Sequence, residues 1–233
     1  MQGAPLMRRF DVKYAATEDQ MKSVLQDSLK HYHILEVGGL RISRYQTQYF
    51  DTPEMVFYHE HHSDRGRRRK VRIRTYCETG EAYLEVKCRQ PNRRTVKTRV
   101  PMERAGRFDL ELLLLDPVFS LCGPLYSERL QPSVSVSFRR VTLVNLVNEE
   151  RVTLDFDVSF QYGSIERPLH GLVVSELKQL QPGPSVFQSV MRRHGIRPGS
   201  LSKYCLGTAC LHGKVKTNLF KARIRKILEL TET

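Results

Sequence analysis

The chain has 233 residues, 40% of them apolar and 27% charged, and its 38 Lys and Arg against 25 Asp and Glu give a formal net charge of +13. That length is enough to bury a core in one domain, and no apolar run approaches the roughly 18–20 residues that span a bilayer, which excludes a transmembrane-helix class. The cationic excess calls for an anionic partner, and composition alone leaves nucleic acid, anionic lipid and a polyphosphorylated small molecule open.

In chain order, residues 1–8 read as an N-terminal extension without the apolar core of a secretory signal. Arg9-Phe-Asp-Val-Lys-Tyr14 is strand-like. Thr17 with Gln20 forms a capping-box signature, and Met21, Val24, Leu25 and Leu29 put one apolar face on a helix ending near His31. Gln46 to Pro53 is a strand running into a turn opened by Asp51 and Pro53.

From Lys70 the period changes to two. Predicted strands cover Lys70–Tyr76, Ala82–Arg89 and Thr95–Pro101, with turns at Glu78-Thr-Gly80 and Gln90-Pro-Asn92. A mostly helical stretch is expected from about Phe108 to Leu125. Strands resume at Ser133–Arg140, Arg151–Val158 and Leu172–Lys178. A helix is predicted over Ser185–His194 with Gly195 just past its end, and a basic helix over Thr217–Leu230. Short turns between strands imply an antiparallel sheet, and no linker or repeat divides it.

The strand alternation carries the charge. Lys70, Arg72 and Arg74 share one face, as do Glu85, Lys87 and Arg89, then Lys97 and Arg99, then Glu176 and Lys178. Arg151, Thr153, Asp155 and Asp157 likewise oppose Val152, Leu154, Phe156 and Val158. A sheet solvated on one face gives the same alternation. Here, however, long cations dominate the polar face, and like charges across neighbouring strands repel unless an anion neutralises them. If the sheet closes into a barrel, that face becomes a lumen suited to a phosphate chain, with Arg as a bidentate donor and Lys as a mobile point charge. Acids among the cations suit a divalent metal bridging phosphate oxygens, with Glu176 first and Asp11, Glu85 and Asp155 behind it. An ion pair with a neighbouring cation is the plain alternative for each.

Outside this face, Arg65 to Arg74 holds seven cations in ten residues, and Arg67 to Arg69 read as a solvated entrance funnel or a plain exposed loop. His59-Glu-His-His62 could suggest a metal site but reads, beside so many cations, as a loop of surface histidines. Cys77, Cys88, Cys122, Cys205 and Cys210 form no C-x-x-C pair. Their odd number argues against a disulfide framework and fits a reducing, cytoplasmic setting.

Taken together, Arg9–Tyr14, Tyr49-Phe-Asp-Thr52, Lys70–Arg74, Leu84-Glu-Val-Lys87, Lys97-Thr-Arg99, Phe138-Arg-Arg140, Arg151–Asp155, Ser175-Glu-Leu-Lys178 and Leu201-Ser-Lys-Tyr204 resemble the polyphosphate-polymerase domain of the vacuolar transporter chaperone (VTC) family. That family lies within the triphosphate tunnel metalloenzyme, or CYTH-like, group. The resemblance implies an α+β fold, an antiparallel β-barrel with flanking helices over 9–210, followed by a C-terminal basic helix over 211–233. It implies transfer of the terminal phosphoryl of ATP to polyphosphate, with an inorganic or nucleoside triphosphatase, or a non-catalytic polyphosphate- or nucleic-acid-binding module, as alternatives.

Carried over, Lys13, Arg72, Arg74, Lys87, Arg89, Lys97, Arg99, Arg140, Lys178, Ser202 and Lys203 would bind phosphate. Glu176 and Asp11 would hold Mn²⁺ or Mg²⁺, with Glu85 and Asp155 less certain, and Glu176 and Lys87 would be catalytic. The implied partners are ATP, polyphosphate or tripolyphosphate, with nucleic acid disfavoured and a membrane-protein partner left open. Three departures stand out. Asp11 replaces a usual Glu, Phe138 replaces a usual Tyr, and Arg140 falls in register with apolar Val134, Val136 and Phe138, so a bulge or twist is expected to turn it inward. The SPX domain and membrane segments of eukaryotic members have no counterpart in these 233 residues, which implies a stand-alone bacterial version.

Overall fold

A computed structural model of the chain describes residues 10–90, 94–102, 117–122, 125, 129–181 and 183–231. The strands are β1 (Phe10–Thr17), β2 (His33–Ile34), β3 (Ile42–Asp51), β4 (Arg68–Tyr76), β5 (Ala82–Arg89), β6 (Thr95–Met102), β7 (Gln131–Asn145), β8 (Glu150–Tyr162), β9 (Ile165–Leu169) and β10 (Leu172–Gln179). Five helices accompany them among the described residues: α1 (Glu18–Ser28), α2 (Val56–His62), α3 (Val186–Arg193), α4 (Lys203–Leu211) and α5 (Lys221–Glu229). All pairings are antiparallel. The sheet runs β1-β10-β8-β7-β3-β4-β5-β6, with β2 and β9 as side branches on β7 and β8.

The expected capping box is formed: Thr17 Oγ1 accepts from Gln20 N while Gln20 Oε1 accepts from Thr17 N. The expected 185–194 helix is also formed, with Ser185 as its N-cap. At its end Gly195 takes φ +70°, Ile196 N donates to Met191 O and Gly195 N to Arg192 O, the two bonds of a Schellman ending. The N-terminal extension, the Pro91–Asn92 turn residues and the first half of the predicted 108–125 helix lie outside the described residues. The rest of that segment includes a 3₁₀ helix over Pro117–Cys122.

Three apolar clusters show which way the sheet faces. Leu143, Val152, Leu154, Val173 and Leu177 pack one outer flank against α1 and α3 through Met21, Val24, Phe187 and Met191. Val71, Ile73, Leu84, Val86 and Cys88 pack the other outer flank against Phe119 and Cys122. The third cluster joins the inner side chains Tyr49, Val136, Phe138, Phe160 and Val174 to Tyr204, Cys205 and Leu206 of α4, so α4 plugs one end of the inner face. Ile227, Phe220 and Ile224 pack the C-terminal helix on this cluster. The apolar alternates of β4, β5 and β10 therefore point outward under helices, and the charged alternates point inward.

The sheet is curled without a closed ladder: among the described residues β6 does not pair with β1. The free edge of β1 is covered instead by the chain entering α4, where Gly199 N donates to Lys13 O at 2.8 Å.

Three sequence expectations change here. Asp157 does not share a face with Asp155. One extra residue in β8 shifts its register against β7 between Ser137 and Arg139, with Asp157 at φ +51°. This bulge sends Asp157 out to pair with Arg139 and turns Val158 and Phe160 inward. Arg140 needs no such device, because the apolar face it shares with Phe138 is itself the inner face. The cysteines also differ from expectation. Cys88 and Cys122 form a disulfide with Cα atoms 5.5 Å apart, tying β5 to the 3₁₀ helix, while Cys77, Cys205 and Cys210 are free.

Candidate functional site: a cation-lined channel inside the sheet

Register brings the inward cations into rows. Lys70 on β4 lies opposite Lys87 on β5, which lies opposite Lys97 on β6. In the next row Arg72, Glu85 and Arg99 face each other. On the other side of the curl Lys13 of β1 lies opposite Glu176 of β10, and Asp11 opposite Lys178. Flat, the sheet would hold β1 and β5 on the order of 30 Å apart, six strand spacings. Yet Lys87 feels the charges of Lys13, Asp11 and Glu176 directly. The sheet has rolled its two halves toward each other around one axis.

The field in this channel is strongly positive, and the side chains inside it report it. Burial and the neighbouring ammonium groups of Lys13 and Lys70 hold Lys87 down to about 8. The Lys87 side chain itself is open to solvent. Lys70, Lys203 and Arg74 are also lowered, by burial first. Tyr49 is the clearest reporter: burial raises a phenol, but Arg72, Arg74 and Lys70 bring this one down to about 8. Arg72 Nη1 donates to its hydroxyl at 3.1 Å.

The acids divide into two kinds. Glu85 is clamped by Arg72 at 2.6 Å and Lys97 at 2.8 Å, and Asp155 takes a two-pronged contact from Arg140 at 2.5 and 2.8 Å and a third from Lys203. Both are nearly fully buried, and their cations overcome burial to hold each near 2. Glu176 is more open, with 20% of its side chain exposed, and its partners Lys13 and Lys178 stand farther off at 3.6 and 3.2 Å. Its carboxylate is nevertheless held near 2 against burial by the same two lysines.

Asp11 shares the Glu176 face one diagonal step away on the neighbouring strand. Glu85 and Asp155 are thus tightly clamped in ion pairs, whereas Glu176 is held more loosely by Lys13 and Lys178 and Asp11 lies exposed on the same face of β1. Mg²⁺ and Mn²⁺ are commonly held by one or two carboxylates together with substrate phosphates rather than by a full protein cage. This pair fits that arrangement, and no group of three or more His, Cys, Asp or Glu residues forms a metal cage among the described residues.

The segment before α4 reaches across the curl. Lys13 Nζ donates to Leu201 O at 3.2 Å, Lys70 Nζ donates to Ser202 Oγ at 2.8 Å, and Ser202 Oγ also caps α4 by accepting from Cys205 N. Ser202 therefore lies beside the channel but is already engaged by Lys70. Lys178 and Arg140 also face the channel, Lys97 sits at its more exposed side, and Arg99 is exposed with its guanidinium 4.8 Å over Tyr83. Arg89 lies across from Arg68 and Thr95, one step beyond Lys87 along β5.

Lys70, Tyr49 and Tyr45, whose ring lies 5.6 and 5.1 Å from the Arg74 and Arg140 guanidiniums, adjoin the channel but were not among its predicted binding residues. The Lys70 signal was present in the shared parity of Lys70, Arg72 and Arg74. The tyrosines carried none, since inward aromatic side chains on β3 look like core.

Two readings are overturned. Arg69 is not in a solvated loop: it is 5% exposed on β4, paired with Glu60 and lying over the Phe57 ring, while Arg68 pairs with Asp64. The His59–His62 cluster is helix α2, not a surface loop. Glu60 and His62 are buried, and burial with the Lys70 charge drives His61 down to about 2. Asp51 has a structural role there, accepting from Thr52, Phe57 and Tyr58 backbone N–H groups and from the Tyr204 hydroxyl.

Clefts of about 340 and 570 Å³ lie on the outer surface, against α1 with α3 and against β1 with α3. The channel is recognised by converging charge rather than by apolar concavity.

The VTC domain family model matches residues 8–110 and 121–212. No curated protein sequence matches the chain. Among solved structures, a putative adenylyl cyclase from Hippeastrum described as having a dominant triphosphatase activity aligns at 14% identity over 86% of this chain and 95% of its own, with a TM-score of 0.54. A putative adenylate cyclase from Vibrio parahaemolyticus aligns at 11% identity over 83% and 94%, with a TM-score of 0.47. A protein from Pyrococcus horikoshii aligns at 16% over 82% and 92%, with a TM-score of 0.45. The first of these shares the fold.

Proposed function

We propose, on the premise that this chain belongs to the VTC domain family, that it is an enzyme of phosphoryl transfer on linear phosphates and makes polyphosphate from ATP. The observation that carries this reading is the meeting of Lys13, Lys70, Arg72, Arg74 and Lys87, from strands far apart in sheet order, around one channel. A triphosphate or longer chain is a linear anion matched to such a row, and it would offset the burial and the neighbouring positive charge that depress Lys87 and Lys70.

Phosphoryl transfer asks the protein mainly to align nucleophile and leaving group and to neutralise equatorial oxygens. Arg72 and Arg74 offer planar donors, and Lys87, Lys70 and Lys13 offer adaptable point charges. Lys87 is the assigned catalytic cation, and Lys97, Arg99, Arg140, Lys178, Lys203 and Arg89 extend the channel. Arg140 and Lys203 are themselves neutralised by Asp155, which makes them positioning groups unless substrate displaces the carboxylate. Glu176 and Asp11 would hold Mg²⁺ or Mn²⁺, which would supply charge neutralisation on phosphate oxygens.

Incubation with ATP and Mn²⁺ separates the outcomes: long phosphate chains support the polymerase, release of free phosphate alone points to a triphosphatase, and neither with any nucleotide leaves a binding module. Glu176→Gln is expected to lower turnover at least 10²-fold while tripolyphosphate still binds. Full activity in that variant would remove the metal assignment.

A further inference from the structure

The outer cleft of about 570 Å³ lies directly behind β1 and is lined by Val12, Tyr14, Gln188, Arg192, Gly195, Ile196, Arg197 and Pro198. Val12 and Tyr14 are the outward alternates of the strand whose inward Lys13 faces the channel, so one layer of backbone separates the two. The lining contains two arginines and no acid. Arg193, the neighbour of Arg192, is paired with Asp27, but no ion pair among the described residues engages Arg192 or Arg197. The Arg192 charge is felt at the Tyr14 phenol, where burial raises the pKa and Arg192 opposes it. The Schellman turn at Gly195 fixes the exit of the chain from α3, so the cleft has a defined wall.

We propose that this cleft is a second anion site, taking a phosphate monoester that carries a compact apolar group. The phosphate would lie against Arg192 and Arg197 with the Gln188 amide and the Tyr14 hydroxyl beside them. The apolar body would rest on Val12, Ile196 and Pro198. The volume falls in the range of small-ligand sites.

The same stretch of chain ties the cleft to the channel. Residues 195–198 line the cleft. Immediately afterwards Gly199 N binds Lys13 O, Leu201 O accepts from Lys13 Nζ, Ser202 accepts from Lys70, and Lys203 pairs with Asp155. A ligand that orders 195–198 therefore alters how freely Lys13, Lys70 and Lys203 can turn to a phosphate chain, which is a coupling between two sites and is reciprocal. The coupling rests on the channel reading above, whereas the binding does not.

Calorimetric titration with phenyl phosphate tests the binding. An Arg74→Ala, Lys87→Ala background removes channel binding, and Arg192→Ala, Arg197→Ala in that background removes the cleft. Saturable binding in the first protein, tighter than that of inorganic phosphate and at least tenfold weaker in the second, is expected. No saturable binding at millimolar concentrations, equal binding in both proteins, or no preference over inorganic phosphate overturns the site. In the wild-type chain, saturating phenyl phosphate is expected to shift the tripolyphosphate dissociation constant at least threefold, and the Arg192, Arg197 variant is expected to lose that shift while binding tripolyphosphate within twofold of wild type. An unchanged constant in wild type overturns the coupling and leaves the site itself to stand on the first titration.

Discussion

Tyr49 and Lys87 turn the charge of the channel into something a spectrometer and a calorimeter can read. The phenol of Tyr49 stands near 8 because Arg72, Arg74 and Lys70 outweigh burial. One of the ten tyrosines should therefore ionise around pH 8 in an absorbance titration at 295 nm. Tripolyphosphate should push that step upward, and Tyr49→Phe should delete it. A titration without any step below pH 9 would show that the channel field is weaker than described.

Lys87 gives a second test, with its sign fixed by linkage. Its folded value near 8 lies below the roughly 10.4 of an unfolded lysine, so between those values the unfolded chain holds more protons and stability rises with pH. An anion in the channel favours the ammonium form and raises that value. Tripolyphosphate binding at pH 8.5 should thus take up protons, seen as a dependence of the heat on buffer ionisation, and Lys87→Met should reduce the uptake. Absence of any uptake would contradict the placement of Lys87.

Among the elements, α4 decides the most and was the least visible in the sequence. Tyr204-Cys-Leu-Gly-Thr-Ala-Cys-Leu211 presents no polar stripe, because its first half is buried against the inner sheet, and a helix without a wet face has no readable period. Gly207 allows the close approach: a Cβ there would lie 2.9 Å from Phe160 and 3.0 Å from Val134, both fully buried. Alanine would gain about 1 kcal/mol in helix propensity, but overpacking a filled core costs about 1–3 kcal/mol, and neither neighbour has room to move. Gly207→Ala should lower Tm and weaken tripolyphosphate binding together, since Lys203 and Ser202 ride on the same helix. An unchanged Tm would mean the helix lies farther from the sheet.

The β-strands were legible because period-two alternation survives wherever one face is apolar. The bulge at Asp157 was not, since one extra residue leaves the hydrophobic pattern intact on each side while swapping the faces. Nor was the Cys88–Cys122 pairing, which depends on a segment whose position over β5 no local pattern announces. Helix α2 was hidden by its histidines, which look polar in sequence yet sit partly within the fold.

For the molecule as a whole, alternation told which residues share a face but not which face is enclosed. Covering helices settle that, α1 and α3 on one outer flank and the 3₁₀ helix on the other, and sequence carries their docking only through tertiary packing. Once the apolar alternates are covered from outside, the cations of β1, β4, β5 and β10 face one another.

The most direct test is the affinity for tripolyphosphate of Lys13→Ala and Arg74→Ala, changes on strands at opposite flanks of the curl, measured singly and together at fixed low salt. Convergence on one ligand predicts at least a tenfold loss from each, a non-additive effect of the pair, and a shallower salt dependence in both. Wild-type affinity in either single variant would contradict a shared channel.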